Sequence, residues 1–484
     1  MRNRLRAALL LVILPALGLL LIFLWGTPRL LWVEPGVEAS NVPASSEVRL
    51  TFSRPLQTDA LKERLRFEPA ITGSFEWQGS SLVFTPDRPW PAGATVQVQV
   101  QPGSPARGFP ALPLRQGKVW SFRVRQPNIA YLFPASGPAN VYLLNPTSGE
   151  STPLTNSPAG VLDFTISPDG EMLYFSARTG PDGSAVYRLD LTGLAPEADA
   201  AETLIPEPAA PASLLAQPVQ MLDCPKAVCQ GLALEPQGRY LAYERSVLPG
   251  GDGSQITQVW IQGLEKSEAH SPILAGAAAH QTVLPAWSNA GLLAFYDLDD
   301  EAYWFVGPDG SQKARFPNQT GQQGAWRPDG AAFLAPEIFY LSANISPDLS
   351  NLESLADSHL ILFDLATNGT ENLTPGEGVE DTSPAYSPKG DFLAFARKYL
   401  DVQGWTPGRQ LWIARTESRE ARQLTDTPLF NHYDLAWSPA GDQLAFVRFN
   451  QSALTEPPEI WIFDLLSSAA TRFVQDGYQP QWLP

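Results

Sequence analysis

Cysteine and histidine are scarce in this chain of 484 residues, which holds two of the first and four of the second. A cysteine-based metal site needs more ligands than this, and four scattered imidazoles predict neither a metal cluster nor a catalytic triad. Basic residues are also in deficit: 33 Lys and Arg stand against 50 Asp and Glu, and the formal net charge is −17. Because neutralising phosphates requires basic side chains, this balance excludes nucleic acid as a predicted partner.

Catalytic motifs are missing as well. The sequence contains no G-x-S-x-G, H-E-x-x-H, G-x-x-x-x-G-K-[ST] or G-x-G-x-x-G. We therefore predict no cofactor and no bound metal. The two cysteines, Cys224 and Cys229, stand in DCPKAVC, whose spacing suits a small disulfide-closed loop in an oxidising compartment. Two unpaired thiols are the alternative.

The N-terminus carries an uncharged run. Three arginines in MRNRLR precede residues 7–25, which contain no charge and are long enough to cross a bilayer as a helix. Residues 1–32 are therefore predicted to be a cytoplasmic stub and transmembrane anchor. The predicted protein is single-pass, with its N-terminus cytoplasmic and its other domains extracytoplasmic. A cleaved signal peptide and an internal core helix are the alternatives.

Residues 33–125 hold short alternating stretches separated by Gly, Pro, Ser and Asn. The alternation is clear around Leu50, Val98 and Phe122, and it predicts a β-sandwich. The phrases VPASSEVRLTFSRP, GSFEWQGSSLVFTP and PAG resemble those of the bacterial Ig-like domain of surface-layer proteins. That resemblance implies a spacer or adhesion module without chemistry of its own.

A repeated phrase fills the remainder of the chain. WSPAGDQLAFVRF at 437–449 has counterparts in ISPDGEMLYFSA, LEPQGRYLAYER, WSNAGLLAFYD, WRPDGAAFLAPE and YSPKGDFLAFAR. Proline presets φ and glycine takes the positive-φ corner, so each phrase predicts a tight turn between two strands. The strand after the turn is apolar on both faces, which predicts a sheet covered from both sides, as between the blades of a propeller.

Each unit continues with a third apolar strand and a fourth, more polar one. Four antiparallel strands, ordered A to D from the axis outward, make a propeller blade. Residues 129–484 resemble the TolB- and tricorn-type β-propeller repeat, whose hallmark is W-S-P-D-G-x-x-L-A-F. Several units depart from it: Asn289 and Ala290 replace Pro-Asp, and Glu235 and Arg327 replace Ser.

Counting the units predicts a closed ring. Six complete units begin near residues 161, 231, 283, 323, 383 and 433. An orphan piece before them supplies strands B, C and D, and DGYQPQWLP at the C-terminus supplies a strand A. Joined, they make a seventh blade built from both ends of the propeller. The predicted fold class is thus all-β: a transmembrane helix, an Ig-like β-sandwich, and a seven-bladed β-propeller closed by the C-terminal strand.

The propeller has two unlike faces. A–B and C–D turns share one of them, here called the turn face. B–C loops and blade-to-blade links share the other, here called the loop face. The long segments 245–258, 336–358, 398–409 and 450–458 fall on the loop face. Since aromatic and Arg side chains dominate binding hot spots, the candidate binding residues are those of two of these loops: Phe339, Tyr340, Tyr399, Trp405 and Arg409. The alternative is that these rings pin the loops to the rim.

One position of strand A is predicted to line the central channel. It is occupied by Gln479, Asp163, Gly231, Leu284, Gln323, Ser383 and Asp434. Two carboxylates there, Asp163 and Asp434, would divide acid and base roles in glycoside hydrolysis, or else only line a wet channel.

The sequence therefore predicts a non-catalytic, membrane-anchored scaffold whose loop face binds a protein or glycan at the cell envelope. The alternative is a propeller glycosidase or lyase that uses the channel carboxylates. Both functions are expectations from fold resemblance and residue placement.

Overall fold

A computed structural model describes residues 26–44, 46–192, 217–247, 256–264, 271–340, 356–401 and 404–483. They form two compact units that divide between Pro127 and Asn128.

The predicted transmembrane helix, residues 7–25, lies outside the described residues. Within the described ranges, no helix is both long enough and apolar enough to span a bilayer. This finding contradicts the prediction of a transmembrane helix and of a single-pass membrane protein.

The first unit is a sandwich of two four-stranded sheets with one five-residue helix, α1 (Thr58–Lys62). One sheet has the order β1 (Leu30–Glu34), β3 (Val48–Phe52), β6 (Ser81–Pro86), β5 (Gly73–Gln78). The other has the order β2 (Ala39–Val42), β8 (Lys118–Val124), β7 (Thr95–Val100), β4 (Leu65–Glu68). The alternation read from the sequence is the inward face: Leu50, Val98 and Phe122 are all buried in one core.

The predicted boundary at residue 33 falls inside β1. Val33 is 4% exposed and belongs to the sandwich core, whereas Leu31 and Trp32 are 60% and 61% exposed. The register of β1 against β3 shifts between Leu30 and Trp32, so two successive side chains point to solvent. The Ig-like domain therefore begins before the predicted boundary.

The second unit contains seven blades of four strands each. From strand A to strand D, blade 1 consists of β36 (Tyr478–Trp482), β9 (Ile129–Phe133), β10 (Asn140–Leu144) and β11 (Ser151–Pro153). Blade 2 consists of β12 (Val161–Ile166), β13 (Met172–Gly180), β14 (Gly183–Asp190) and β15 (Val219–Cys224). Blade 3 consists of β16 (Ala227–Leu234), β17 (Tyr240–Val247), β18 (Ile256–Gly263) and β19 (Ile273–Leu274), and blade 4 of β20 (Thr282–Trp287), β21 (Leu293–Asp297), β22 (Ala302–Val306) and β23 (Gln312–Pro317).

The remaining three blades follow the same order. They are β24 (Ala325–Trp326), β25 (Ala332–Tyr340), β26 (Ala356–Asp364), β27 (Gly369–Asn372); β28 (Val379–Tyr386), β29 (Phe392–Tyr399), β30 (Gln410–Arg415), β31 (Ala421–Gln423); and β32 (Phe430–Trp437), β33 (Gln443–Asn450), β34 (Glu459–Asp464), β35 (Ala469–Gln475). A single parallel bridge, Ser358 to Glu380, joins blades 5 and 6 into one sheet.

The ring closes through the C-terminal strand, as the repeat count predicts. Trp482 pairs with Ile129 in the antiparallel register of β36 and β9. On one side β36 contacts β32 of blade 7. On the other, the Gln481 side chain donates to the Phe164 carbonyl of blade 2 at 3.0 Å. The first and last segments of the propeller thus share one blade.

The doubly apolar strand after each turn lies between two neighbouring blades. In β33, Ala445 and Val447 pack in a core shared with blade 1. Leu444 and Phe446 pack in a separate core shared with blade 6. Successive side chains of a strand point to opposite faces, so one apolar run supplies both interfaces. The turn before it needs its glycine, because Gly441 has φ 72° and its amide donates to the Ser438 carbonyl at 2.8 Å.

The aromatic residue before each turn connects adjacent blades. Four indole N–H groups donate to a carbonyl of strand A in the preceding blade at 2.9–3.1 Å, namely Trp287 to Ala233, Trp326 to Ala286, Trp437 to Ala385, and Trp482 to Ala436. Each bond satisfies a buried or half-buried donor and connects two adjacent blades. The repeated tryptophan therefore carries blade-to-blade contact.

Candidate functional site

The central channel is lined by the seven residues that the sequence repeat places at one position, in strand A or, for Gln323, just before it. All seven border a single cavity of about 710 Å³. Six of the seven A strands shift register at this level, as in a β-bulge. Five of the residues have positive φ of 49° to 62°: Gly231, Leu284, Ser383, Asp434 and Gln479. The innermost strands thus break their pairing where they reach the channel.

Asp163 connects three blades. It is 8% exposed, and burial raises its pKa above the ordinary value. Its Oδ1 accepts from the Phe164 amide at 2.8 Å and from the Gln479 side chain, and its Oδ2 accepts from the Leu232 amide at 2.5 Å. A carboxylate with donors on both oxygens is held in one orientation. The hydrogen bonds of Asp163 therefore fit a structural role in joining the blades as well as a catalytic role.

Glu244 is a third channel carboxylate, which the sequence interpretation missed. It lies on strand B of blade 3, is 9% exposed, and burial raises its pKa. It accepts from the Leu284 amide of blade 4 at 2.8 Å. A Cβ on Gly231 would stand 2.8 Å from the Glu244 carboxyl carbon. The glycine leaves the axial position empty, and the glutamate of the next strand fills it. A charge inside the apolar run LAYER was the available signal.

Asp434 lies on the other side of the closing strand from Asp163. Its side chain is exposed to the channel, yet surrounding protein desolvates it enough to raise its pKa to about 6. The backbone amide of Gln479 donates to it and partly offsets that effect. Gln479 therefore contacts both carboxylates, one with its side chain and the other with its backbone.

The pKa of Asp434 is displaced toward neutral pH. Burial raises the pKa of Asp434 to about 6, whereas the pKa of an ordinary Asp is about 4. Carboxylates with shifted pKa values inside a cavity occur at catalytic sites and also in structural networks. The seven predicted channel residues are thus brought together around a polar, acidic cavity.

Three predicted binding residues come together on the loop of blade 6. Trp405 is 54% exposed, and the Lys398 ammonium lies 5.0 Å from its ring centre. Tyr399 is half-buried with its ring edge-on to Trp412 at 6.2 Å. Arg409 forms an ion pair with Glu380, so its guanidinium is already engaged within the protein. Of the three, Trp405 is the side chain offered to a partner.

The other two predicted binding residues end β25 in blade 5. Phe339 is 39% exposed and packs on His359, with ring centres 5.2 Å apart. The backbone of Tyr340 pairs with Ala356, and its side chain lies outside the described residues. Phe339 and the Trp405 loop thus lie on the same face of neighbouring blades.

Exposed apolar residues concentrate on the loop face. In the described part of the propeller, ten large hydrophobic side chains are exposed, and seven belong to B–C loops, their flanking strand ends or blade-to-blade links: Val247, Ile256, Leu298, Phe339, Trp405, Leu429 and Leu454. Aromatic and aliphatic side chains gathered on one face are typical of interaction surfaces.

Cys224 and Cys229 form a disulfide that links the end of β15 to the start of β16. A separate group in blade 4 brings His280, Asp297 and Asp299 within 4.8 Å of one another. His280 pairs with Asp297 at 2.8 Å, and that hydrogen bond raises the imidazole pKa. The Asp297 carboxylate also accepts the amides of Asp299 and Asp300 at 3.0 Å, which accounts for its burial in the hairpin tip.

The sandwich unit matches a known family. Residues 26–124 match the family described as bacterial Ig-like domain. Residues 26–124 are a bacterial Ig-like domain. The match begins ahead of β1, in agreement with the place of Val33 in the core of the Ig-like domain.

Solved structures resemble parts of the chain at low sequence identity. TolB of Acinetobacter baumannii is similar over 87% of this chain and 83% of its own, at 10% identity and a TM-score of 0.43. A prolyl endopeptidase covers 78% of this chain and 49% of its own, at 11% and 0.47. Oligogalacturonate lyase of Vibrio parahaemolyticus covers 70% and 91%, at 14% and 0.44.

One curated relative matches part of the chain. It is named uncharacterized peptidase YuxL of Bacillus subtilis, and it is 38% identical over 87 residues. The matched stretch is 18% of this chain and 12% of that protein.

Proposed function

We propose that this protein is a non-catalytic binding protein whose loop face docks a protein partner. The observation that carries the proposal is Trp405, an indole more than half exposed on a loop of blade 6. Exposing a large indole to water is unfavourable, and burying one in a partner supplies much of the energy of a binding hot spot.

Backbone contacts hold Trp405 in one conformation on its loop. Its amide donates to the Asp401 carbonyl at 2.9 Å, and its backbone forms a bridge to Tyr399. Tyr399 in turn packs on Trp412 of the blade. A residue held in place loses little conformational entropy on binding, which favours affinity. Phe339 and Leu429 widen the apolar surface on neighbouring blades.

Trp405→Ala is expected to lower the affinity for the partner about tenfold or more while leaving the fold intact. The full chain and its variants would be immobilised, and partners captured from a lysate of the source organism would be quantified by mass spectrometry. Leu466→Ala, on the turn face, is the matched control, because Leu466 is 87% exposed. Retention of the captured protein by Trp405→Ala, or its loss with Leu466→Ala, contradicts the proposal.

A second candidate function is supported by Asp434. Its pKa of about 6 suits a general acid or base, and it borders the channel cavity with Asp163 and Glu244. In this candidate the channel carboxylates cleave a glycosidic bond by hydrolysis or elimination.

The second candidate predicts turnover that depends on one carboxyl group. Asp434→Asn would reduce the rate at least 100-fold on any aryl glycoside or polyuronate that the wild type cleaves. A pH–rate profile should show an inflection near 6 that the variant lacks. Absence of turnover by the wild type across such substrates rejects this candidate and favours the binding protein.

A further inference from the structure

The connections on the loop face carry an excess of negative charge. Among the described residues that lie between strands B and C, or between strand D and the next strand A, nine are Asp or Glu and two are Lys or Arg. One of those two cations, Arg409, forms an ion pair with Glu380. Because exposed apolar side chains also concentrate on the loop face, this face combines anionic and apolar surface.

The loop that carries Trp405 is hydrogen-bonded to the blade-to-blade link on each side of it. Its amides donate to a carbonyl of the link 373–378 at 2.8 Å and to a carbonyl of the link 424–429 at 2.9 Å. The first link exposes the carboxylate of Glu377, and the second exposes that of Asp426. The exposed indole of blade 6 therefore stands on a loop that is flanked by negative charge on both sides.

Apolar side chains lie close in sequence to these and neighbouring carboxylates. Leu429 is 48% exposed and ends the link that carries Asp426. On the loop of blade 7, Leu454 is 71% exposed and stands two residues before the exposed Glu456. A lysine or arginine side chain matches such a surface, because its methylene stem packs on apolar groups while its charged end reaches a carboxylate.

The Trp405 ring already attracts a cation of its own chain. The Lys398 ammonium lies 5.0 Å from the ring centre. The face of an aromatic ring carries partial negative charge, so an exposed indole and an exposed carboxylate favour the same kind of ligand. Lys398 offsets part of the negative charge of this surface, but the carboxylates of Glu377, Asp426 and Glu456 outnumber it.

We propose that the protein partner docked on the loop face presents a segment rich in lysine and arginine, an inference that rests on the proposed function. The charged ends of that segment pair with the three carboxylates, its methylene stems pack on the two leucines, and one of its cations covers the Trp405 indole. Complementary charge speeds association and suppresses partners of the wrong sign. An acidic segment would instead meet Glu377, Asp426 and Glu456 as like charges.

The test measures binding of the full chain to a short fluorescein-labelled oligolysine by fluorescence anisotropy, with oligoglutamate of the same length as the reference. The loop-face variant neutralises the three exposed carboxylates of the proposed surface: Glu377→Gln, Asp426→Asn and Glu456→Gln. The turn-face control neutralises three exposed carboxylates in the turns of blade 6 on the other face: Glu417→Gln, Asp391→Asn and Glu420→Gln. Both variants have the same net charge, so a difference between them reports the loop face alone.

The loop-face variant is expected to bind oligolysine about tenfold more weakly than wild type at low salt, whereas the turn-face control should stay within about twofold of wild type. Trp405→Ala should weaken the binding about threefold or more, because it removes the aromatic face. Equal binding of oligolysine by the two triple variants overturns the proposal, and so does wild-type binding of oligoglutamate as tight as that of oligolysine. Circular dichroism checks the fold of each variant.

Capture of the partner from a lysate separates a failure of this inference from a failure of the proposed function. We expect Trp405→Ala and the loop-face variant both to lose the captured partner. If Trp405→Ala loses it while the loop-face variant retains it, the loop face docks a partner that is not cationic, and only this inference is wrong. If both variants retain it, the proposed function is wrong and this inference falls with it.

Discussion

Trp482→Ala is expected to lower the free energy of unfolding of the propeller by about 3–5 kcal/mol. Trp482 is 8% exposed and packs with Ile129 of β9 and Val447 of the preceding blade. Its indole N–H also donates to the Ala436 carbonyl at 2.9 Å. Truncation removes this burial, leaves a cavity at an interblade seam, and unpairs the carbonyl. No chain segment joins β36 to β9 within blade 1, so packing and hydrogen bonds alone close the ring there.

Urea or thermal denaturation followed by far-UV circular dichroism gives the loss, and hydrogen exchange locates it. Trp437→Ala is the matched control, since Trp437 is 9% exposed and donates to the Ala385 carbonyl at 3.0 Å, but its strand β32 is joined to β33 by a turn of the chain. Both variants should be destabilised, but only Trp482→Ala should speed exchange in β36 and β9. A Trp482→Ala protein within about 1 kcal/mol of wild type, with normal protection of β9, contradicts closure by the C-terminal strand.

The fold could be predicted because two local signals agree. The Pro-x-Gly turn specifies where strands join, and the doubly apolar run that follows specifies that both faces are covered. The same turn fixes register, so the axial position could be counted back from the aromatic to Asp163 and Asp434. What the turn does not specify is the neighbouring strand. Glu244 reaches the channel from strand B because Gly231 of strand A has no side chain there. A comparison of the A strands alone does not reveal that a residue of strand B occupies the position.

Apolar composition alone was a poorer guide. Leu31 and Trp32 lie beyond the uncharged run, yet the predicted boundary at residue 32 places them with the membrane anchor. In the structure they occupy a bulged edge strand of the Ig-like domain, where both side chains are exposed. The binding residues show the same limit. The sequence shows that an aromatic residue lies on a loop. Whether its side chain is exposed, as in Trp405, or packed against the blade, as in Tyr399, depends on contacts from other strands.

Asp381→Asn is expected to cost about 3–5 kcal/mol, because it removes the charge of a buried carboxylate and leaves the guanidinium of Arg397, only 13% exposed, without its counter-charge. Asp381 is fully buried, and both of its oxygens accept from Arg397, at 2.6 Å from Nε and 2.7 Å from Nη2. The guanidinium also lies over the rings of Phe395 and Trp412, at 5.2 and 5.3 Å. Arg397 is the last residue of the segment LAFAR, so this ion pair lies where strand B ends at the loop face.

The exposed pair Arg419–Glu371 is the matched control, with both side chains about half exposed, and Glu371→Gln should cost at most about 1 kcal/mol. The Asp381 pair also holds the base of the loop that carries Trp405, because Lys398, beside Arg397, lies over the Trp405 ring. Asp381→Asn should therefore weaken partner binding as well as stability, whereas Trp405→Ala should weaken binding alone. Comparing chemical denaturation with capture of the partner for the three variants separates these effects. If Asp381→Asn is no more costly than Glu371→Gln, the buried pair does not stabilise blade 6. Its loop would then owe its conformation to the backbone bridge between Tyr399 and Trp405.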